Sequence, residues 1–433
     1  MKMKAAAMIS TVLISATVLS ACGSQQTSGG DNSGGTAKVE APKDPVVLKL
    51  YPGQLITPED MSLMINGPLQ KKYPYISVEV IDRSKNPLAE YVAMGGEMDL
   101  ITQWNGSMSQ NMDLGIFEDI TPMLQKNSLD LSRFDSQAIE TIKTISADGK
   151  LNGLPYNVQF NALYYNKDVF DKFGIAYPKD GMTWENAIDL SKKLTRQVDG
   201  VSYRGLDPEG VARMSFPLSL NIIEAKTNKV LVNSDPYKKL FEMAGSVYAT
   251  PGNKPAKWNT SSYDAFMKER TVGMVATVNL FPYLAQVPDL NWDLVQYPSY
   301  KEKPNVYGMY DLHIMSVTKT SKHKDEAMKV LEVLFSDEVQ MIAAQKTGRV
   351  SPLKDPKYQQ AYGSEMPVLK GKNIQSIFKS KPAPAPRLSA YYSKASSIMS
   401  GKFQEYADGK KDVNTALREA EEEIAKYAQE QSK

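Results

Sequence analysis

Apolar and polar positions change period several times along the chain, and each change marks an element. Val46 to Tyr51 is a buried-strand run that stops at Pro52-Gly53, and Glu59 to about Lys72 carries helical spacing. Ile76 to Ile81 alternates as a strand does, and Met98 to Trp104 reads as another strand. Farther on, Ala187, Ile188, Ser191 and Leu194 predict a helix from Trp184 to Thr195 with Thr183 as its N-cap. Three residues after that cap stands Asn186 rather than an acid, so only the N-cap half of a capping box is expected. Met328, Leu331, Leu334 and Phe335 mark a later helix, and Leu417, Ala420, Ile424 and Tyr427 mark the last one, from about Asp412. Lys381 to Pro386 interleaves Pro with Ala and predicts an extended loop. The sequence shows no internal repeat.

Strands alternating with helices predict a mainly parallel sheet with crossover helices. Ligands of such sheets sit beyond the carboxyl ends of the strands. That rule selects Gln54 after the first strand, and Trp104 and Asn105 after the third.

At 433 residues the chain has length for about two to three domains, and 42% hydrophobic with 23% charged residues is ordinary globular composition. Its one cysteine, Cys22, rules out an intrachain disulfide and any multi-cysteine metal site. Cys22 follows Lys2 and Lys4, an apolar stretch from Ala5 to Leu19, and the small residues Ser20 and Ala21. A positive head, an apolar middle and small residues at the cut form a secretory signal too short to span a bilayer. Leu19-Ser20-Ala21-Cys22 matches the bacterial lipobox, which implies cleavage before Cys22, a diacylglyceryl group on its sulfur, and palmitate-like chains as the anchor. Gly23 to Pro45 is rich in Ser, Gly and Gln and reads as a flexible tether with a root-mean-square span of roughly 25 Å. Without Lys2 and Lys4 the 51 basic and 49 acidic residues balance, and no basic stripe marks a nucleic-acid partner.

Catalytic signatures are sparse. His313 lies in a strand-like run and His323 in a charged loop, and they are the only two histidines. Gly-x-Ser-x-Gly, His-Glu-x-x-His and a phosphate-cradling Gly-x-x-x-x-Gly-Lys are all missing from the sequence. The 49 acids leave a two-carboxylate glycosidase open on composition alone. Tyr164-Tyr165 and Tyr391-Tyr392 could suggest ferric iron, but strand neighbours face opposite sides, and packing is the reading for both pairs.

Several stretches, in order, carry a family resemblance. Gly149 to Tyr156 runs through a turn and a Pro-Tyr-Asn link into Asn161 to Phe170, then to Thr183-Trp184-Glu185. Ile116 to Pro122, Ala265 to Asn279, Ser321 to Ala327 with the helices after it, and 413–428 follow suit. This order resembles family 1 extracellular solute-binding proteins, the carbohydrate-type substrate-binding components of ABC importers. The resemblance covers nearly all of 46–428 and implies an α/β, two-lobed periplasmic-binding-protein-like fold of type II with three crossings. It implies an N-lobe of 46–156 and 275–315 and a C-lobe of 157–274 and 316–433, behind a signal peptide of 1–21 and a lipidated tether of 22–45. Tyr156 to Asn161 is then the first crossing, 265–279 the second and 307–318 the third.

On that reading the protein is not an enzyme and needs no cofactor or metal. It is a monomer on the outer face of a bacterial membrane, trapping a sugar or oligosaccharide and handing it to permease subunits. Sugars want aromatic plates for their faces and polar side chains for their hydroxyls. The expected ligand residues are therefore Gln54, Trp104, Asn105, Tyr156, Asn157, Gln159, Asn161, Asn279, Phe281, Tyr310 and Asp311, with Trp258 as the second-lobe plate the resemblance implies. The alternatives are a binder of a peptide, polyamine or metal, or a lipid-anchored carbohydrate hydrolase.

Overall fold

The computed structural model describes residues 44–432 apart from 55, 128, 147 and 259–261. The expected signal peptide, Cys22 and nearly all of the tether lie outside the described residues.

β1 (Val46–Pro52) buries Leu48 and Leu50, leaves Val47 and Lys49 exposed, and pairs in parallel with β2 (Ile76–Val80) and β3 (Leu100–Trp104). β4 (Leu154–Gln159) and β5 (Asn161–Asn166) follow on either side of Phe160. After β6 (Arg196–Val198) and β7 (Val201–Asp207) come β8 (Val272–Val278) and β9 (Trp292–Gln296). β10 (Val306–Met309) leads into β11 (Asp311–Val317), and β12 (Lys381–Ala383) is the last described strand. Among the described residues one sheet has the order β2-β1-β3-β11-β4, another β6-β7-β8-β5-β9, and β10 pairs with β12. Each large sheet mixes parallel with antiparallel neighbours, because β11 runs against β3 and β4, and β5 against β8 and β9.

Each sheet carries its own apolar core. The N-lobe core joins Leu48, Leu100 and Ile314 to Met328, Leu331 and Ala344 of the helices Lys324–Leu334 and Asp337–Lys346. The C-lobe core joins Leu163, Val275 and Leu294 to Met399 and Leu417 of the helices Tyr392–Ala407 and Val413–Gln431. Among the described residues the chain passes between cores at 159–161, 309–311 and 358–362.

The first crossing falls where the sequence places it, but the later lobe boundaries do not. β8 pairs with β5 and β7, and β9 pairs with β5, so 275–309 belongs to the C-lobe rather than the N-lobe. The return to the N-lobe comes at 309–311, and 316–358 packs there rather than in the C-lobe. A helix followed by an apolar strand has the same pattern whichever sheet receives it; the deciding partners are distant in sequence.

Two local expectations also change. The carboxamide oxygen of Asn186 accepts from Thr183 N–H at 3.1 Å while Asn186 N–H donates to the Thr183 hydroxyl at 3.4 Å. Asn thus completes the capping box in place of an acid. Lys381–Ala383 is not loop but a strand parallel to β10.

Candidate functional site

A cavity of about 280 Å³ opens between the end of β3 and the C-lobe. Among the described residues Trp104 is the N-lobe's contribution to its lining. The C-lobe supplies the rest from the turn after β7, from the helices Val211–Ser215, Ser262–Met267 and Tyr392–Ala407, and from Phe216, Tyr248, Pro255 and Trp258.

The turn after β7 is built around a left-handed Glu209, with φ of 64°. An L-residue rarely occupies that region unless surrounding bonds hold it. Here Glu209 N–H donates to Asp207 Oδ1 at 2.9 Å, and Asp207 in turn takes Arg204 Nη2 at 2.6 Å. The Glu209 carboxylate, one turn before Arg213, accepts from Arg213 Nε at 3.2 Å and Nη2 at 3.1 Å. That two-bond fork fixes the guanidinium plane. The Thr277 hydroxyl also bonds Glu209, and Tyr263 bonds Thr277 at 3.0 Å. Burial works against the Glu209 carboxylate, but Arg213 and Thr277 outweigh it and hold its pKa below the usual range.

The third nitrogen of Arg213, Nη1, is buried and has no hydrogen-bond partner among the described residues. Its nearest anion is Asp311 Oδ2, 3.7 Å away at the start of β11, across the second crossing. Burial raises the Asp311 pKa, with Arg213 opposing. Both side chains are 16% exposed. The clamped guanidinium thus keeps one buried N–H group without a hydrogen bond, facing the Asp311 carboxylate.

Aromatic faces complete the cavity. The Trp104 ring meets Tyr392 edge-on at 6.2 Å, and Trp258 stands nearly perpendicular to Tyr248 at 5.0 Å. Trp258 Nε1 donates to Asp408 Oδ1 at 3.1 Å, which fixes the indole. Ser262, Ser396, Ser400 and Gln404 add small polar groups to the wall. A larger hollow of about 740 Å³ lies over Pro122, Leu124 and Leu129 of the N-lobe. Its lining holds no aromatic ring and no ion pair, so the inter-lobe cavity is the candidate site.

Of the residues selected from sequence, Trp104 and Trp258 line this cavity, and Asp311 reaches it through Arg213. The others serve the frame. Phe281 is fully buried among Phe160, Tyr164, Trp292 and Tyr362, so it is core and not a ligand plate. Tyr156 is 1% exposed inside the N-lobe under the Arg349 guanidinium at 5.6 Å, and burial pushes its hydroxyl up to about 12. Asn105 donates to Tyr310 C=O at 3.0 Å and accepts from Leu312 N–H at 3.0 Å, tying β3 to the second crossing. Asn161 donates to Tyr307 C=O at 2.7 Å, and Asn279 to Gly348 C=O at 2.9 Å. Tyr310 O–H donates to Asp135 at 2.9 Å. Gln54 N–H donates to Thr102 C=O and Gln54 C=O accepts from the Thr102 hydroxyl, outside the cavity lining.

Asn157 and Gln159 bracket His313. Asn157 Oδ1 accepts from Val350 N–H at 2.9 Å, so its Nδ2 donates to His313 Nδ1 at 3.3 Å. The imidazole proton then sits on Nε2, and the Gln159 carboxamide, whose Nε2 is placed 3.0 Å away, accepts it with its oxygen and nitrogen exchanged. Burial, reinforced by Arg349, holds the His313 pKa at about 3, so the ring is neutral. His313 is a pin between crossings and not a catalytic base.

Missing from the sequence-based set were Glu209, Arg213 and Tyr392. Asp207-Pro208-Glu209-Gly210 follows a strand, so the strand-end rule could have found it had β7 been recognised. Tyr392 packs, as read, but one edge of it also faces the cavity.

A model of the bacterial extracellular solute-binding protein family matches residues 86–361. A Brucella abortus (strain 2308) protein named simply as a binding protein is 27% identical over 219 residues, 47% of this chain. The chain spans about half, 51%, of that relative's length. The sn-glycerol-3-phosphate-binding periplasmic protein of Brucella melitensis is 22% identical over 63% of this chain and 66% of its own. In structure, the chain is similar to the ABC substrate-binding protein of Listeria monocytogenes solved with cycloalternan. That likeness has a TM-score of 0.73 at 20% identity, over 89% of this chain and 99% of the other. The shared architecture is the two-lobed α/β fold of sugar-binding proteins of this type.

Proposed function

The chain belongs to the bacterial extracellular solute-binding protein family, and on that premise we propose that its inter-lobe cavity captures a sugar or oligosaccharide for an ABC importer. The observation that carries this reading is the pairing of Trp104 and Trp258 around the Glu209–Arg213 fork in one cavity. Aromatic plates suit the C–H faces of a sugar, and Arg213, Glu209 and the serine hydroxyls suit its edges. The crystallised Listeria monocytogenes relative bound to cycloalternan supports the same ligand class. Capture is a population shift toward closed lobes, driven by contacts made in that state. Permease subunits then receive the solute. The lipobox supports an anchor on Cys22, which mass analysis of the N-terminal peptide of the exported protein tests: an unmodified cysteine rules the anchor out.

A phosphorylated polyol, which the Brucella melitensis relative's name raises, fits less well. Asp207, Glu209 and Asp311 face only Arg204 and Arg213, so the site is acidic on balance before any ligand arrives. A phosphate brings about two further negative charges at neutral pH and needs a cationic surplus. Thermal-shift and calorimetric titration should therefore show binding of cycloalternan or maltotriose and no response to sn-glycerol-3-phosphate, while spermidine tests the cation-binding reading that an acidic balance by itself would favour. Stabilisation by either of the last two alone overturns the sugar reading.

A further inference from the structure

We propose that Gly106 is a positioning residue that sets the Trp104 indole as a wall of the cavity, an inference that rests on the sugar-binding reading above. Trp104 is fastened from several directions. Its N–H donates to Ser107 Oγ at 3.2 Å, and the same hydroxyl donates to its C=O at 3.0 Å. Asn105, next in the chain, is tied to the second crossing at Tyr310 and Leu312. On one edge the indole meets Tyr392, and it packs against the C-lobe core although its backbone belongs to the N-lobe.

The remaining side of the ring is closed by bare backbone. A Cβ built on Gly106 would stand 2.5 Å from Trp104 Cζ3 and nearer still to Cη2 and Cζ2. Carbon atoms pack at about 3.5–4.0 Å, so any side chain at 106 evicts the indole. Ser107 and Asn105 hold the backbone in place, so the ring must move rather than the strand end. The space next to it is the cavity of about 280 Å³. Gly106 lies in the helix Asn105–Asn111, where alanine is ordinarily the better helix former. A glycine there has a packing reason, and that reason is the ring.

The test is Gly106→Ala in the full chain labelled with 5-fluorotryptophan, whose four tryptophans give separate fluorine resonances. Loss of one resonance in Trp104→Phe assigns Trp104. In Gly106→Ala that resonance moves while those of the core residues Trp184 and Trp292 stay. Affinity for whichever of cycloalternan and maltotriose the wild type binds falls roughly tenfold, the scale of one displaced aromatic contact. The thermal midpoint stays within a few degrees, about the shift one kcal/mol brings. A Trp104 resonance that does not move overturns the inference, and so does a moved resonance with unchanged affinity. If the wild type binds neither sugar, the ligand reading fails, and the resonance alone decides what Gly106 does.

Discussion

The link Tyr156 to Asn161 and the wall formed by Glu209 and Arg213 are both rich in polar groups between the lobes, yet they do opposite work. In the link, Asn157 spends its donor on His313 and its acceptor on Val350, and Asn161 donates to Tyr307. On the wall, Arg213 is held by Glu209 through two nitrogens, and its third has no hydrogen bond and only the long ion pair to Asp311 at 3.7 Å. The carboxamides of the link are taken up by the chain itself, because backbone crossing between lobes exposes peptide groups that must be bonded, while the buried Tyr156 hydroxyl is left without a hydrogen-bond partner among the described residues. Polar residues of a binding wall are saturated only in part. Carboxamides spent on the chain in the link, against a guanidinium nitrogen with only a long ion pair on the wall, separate the two regions more than polarity or strand-end position.

The sharpest way to break this contrast is Arg213→Lys. Lysine keeps the charge but cannot make the fork with Glu209 and still offer an aimed donor. Sugar affinity by calorimetry should fall roughly ten- to hundredfold, the scale of a lost charged hydrogen bond. Unchanged affinity would remove Arg213 from the ligand wall.

A smaller effect distinguishes the hinge. His313 titrates near 6.5 when free and at about 3 in the folded protein. Between those values the unfolded chain binds the extra proton and the native one does not, so stability is lost as pH falls from 6.5 toward 3. Protonation would put a second N–H against Asn157 Nδ2. Compared with His313→Gln, the wild type should lose on the order of 1 kcal/mol more per pH unit below pH 6 in denaturant titrations. Sugar affinity at neutral pH should be the same for both. Parallel pH profiles for the two proteins would show that His313 is not the buried neutral pin described above.

Much of the frame was legible from local pattern. β1, β2 and β3 sit where apolar runs and alternation put them, while the Pro-Tyr-Asn link lies within β4 and the chain crosses just after it, at 159–161. Lobe membership after residue 270 was not legible, because β8 and β11 are both apolar strands and only their distant partners differ. Trp104 and Trp258, which line the cavity, were legible because aromatic side chains near strand and helix ends are visible in a sequence. Glu209 and Arg213 were not, because their role depends on a left-handed backbone and a fork that only three dimensions reveal. Asn157 and Asn161 were chosen for the right chemistry, but that chemistry is consumed by the backbone.

The lopsided cavity has a kinetic consequence. Its wall is almost entirely C-lobe, with Trp104 as the N-lobe's share. On the proposed function, a solute would land first on the C-lobe face, and association would be governed by access to that face. Departure would wait for the indole to lift. Arrival and residence are then set by different lobes, so changes at Trp104 act on the dwell time of the solute and leave the rate of encounter with the C-lobe nearly untouched.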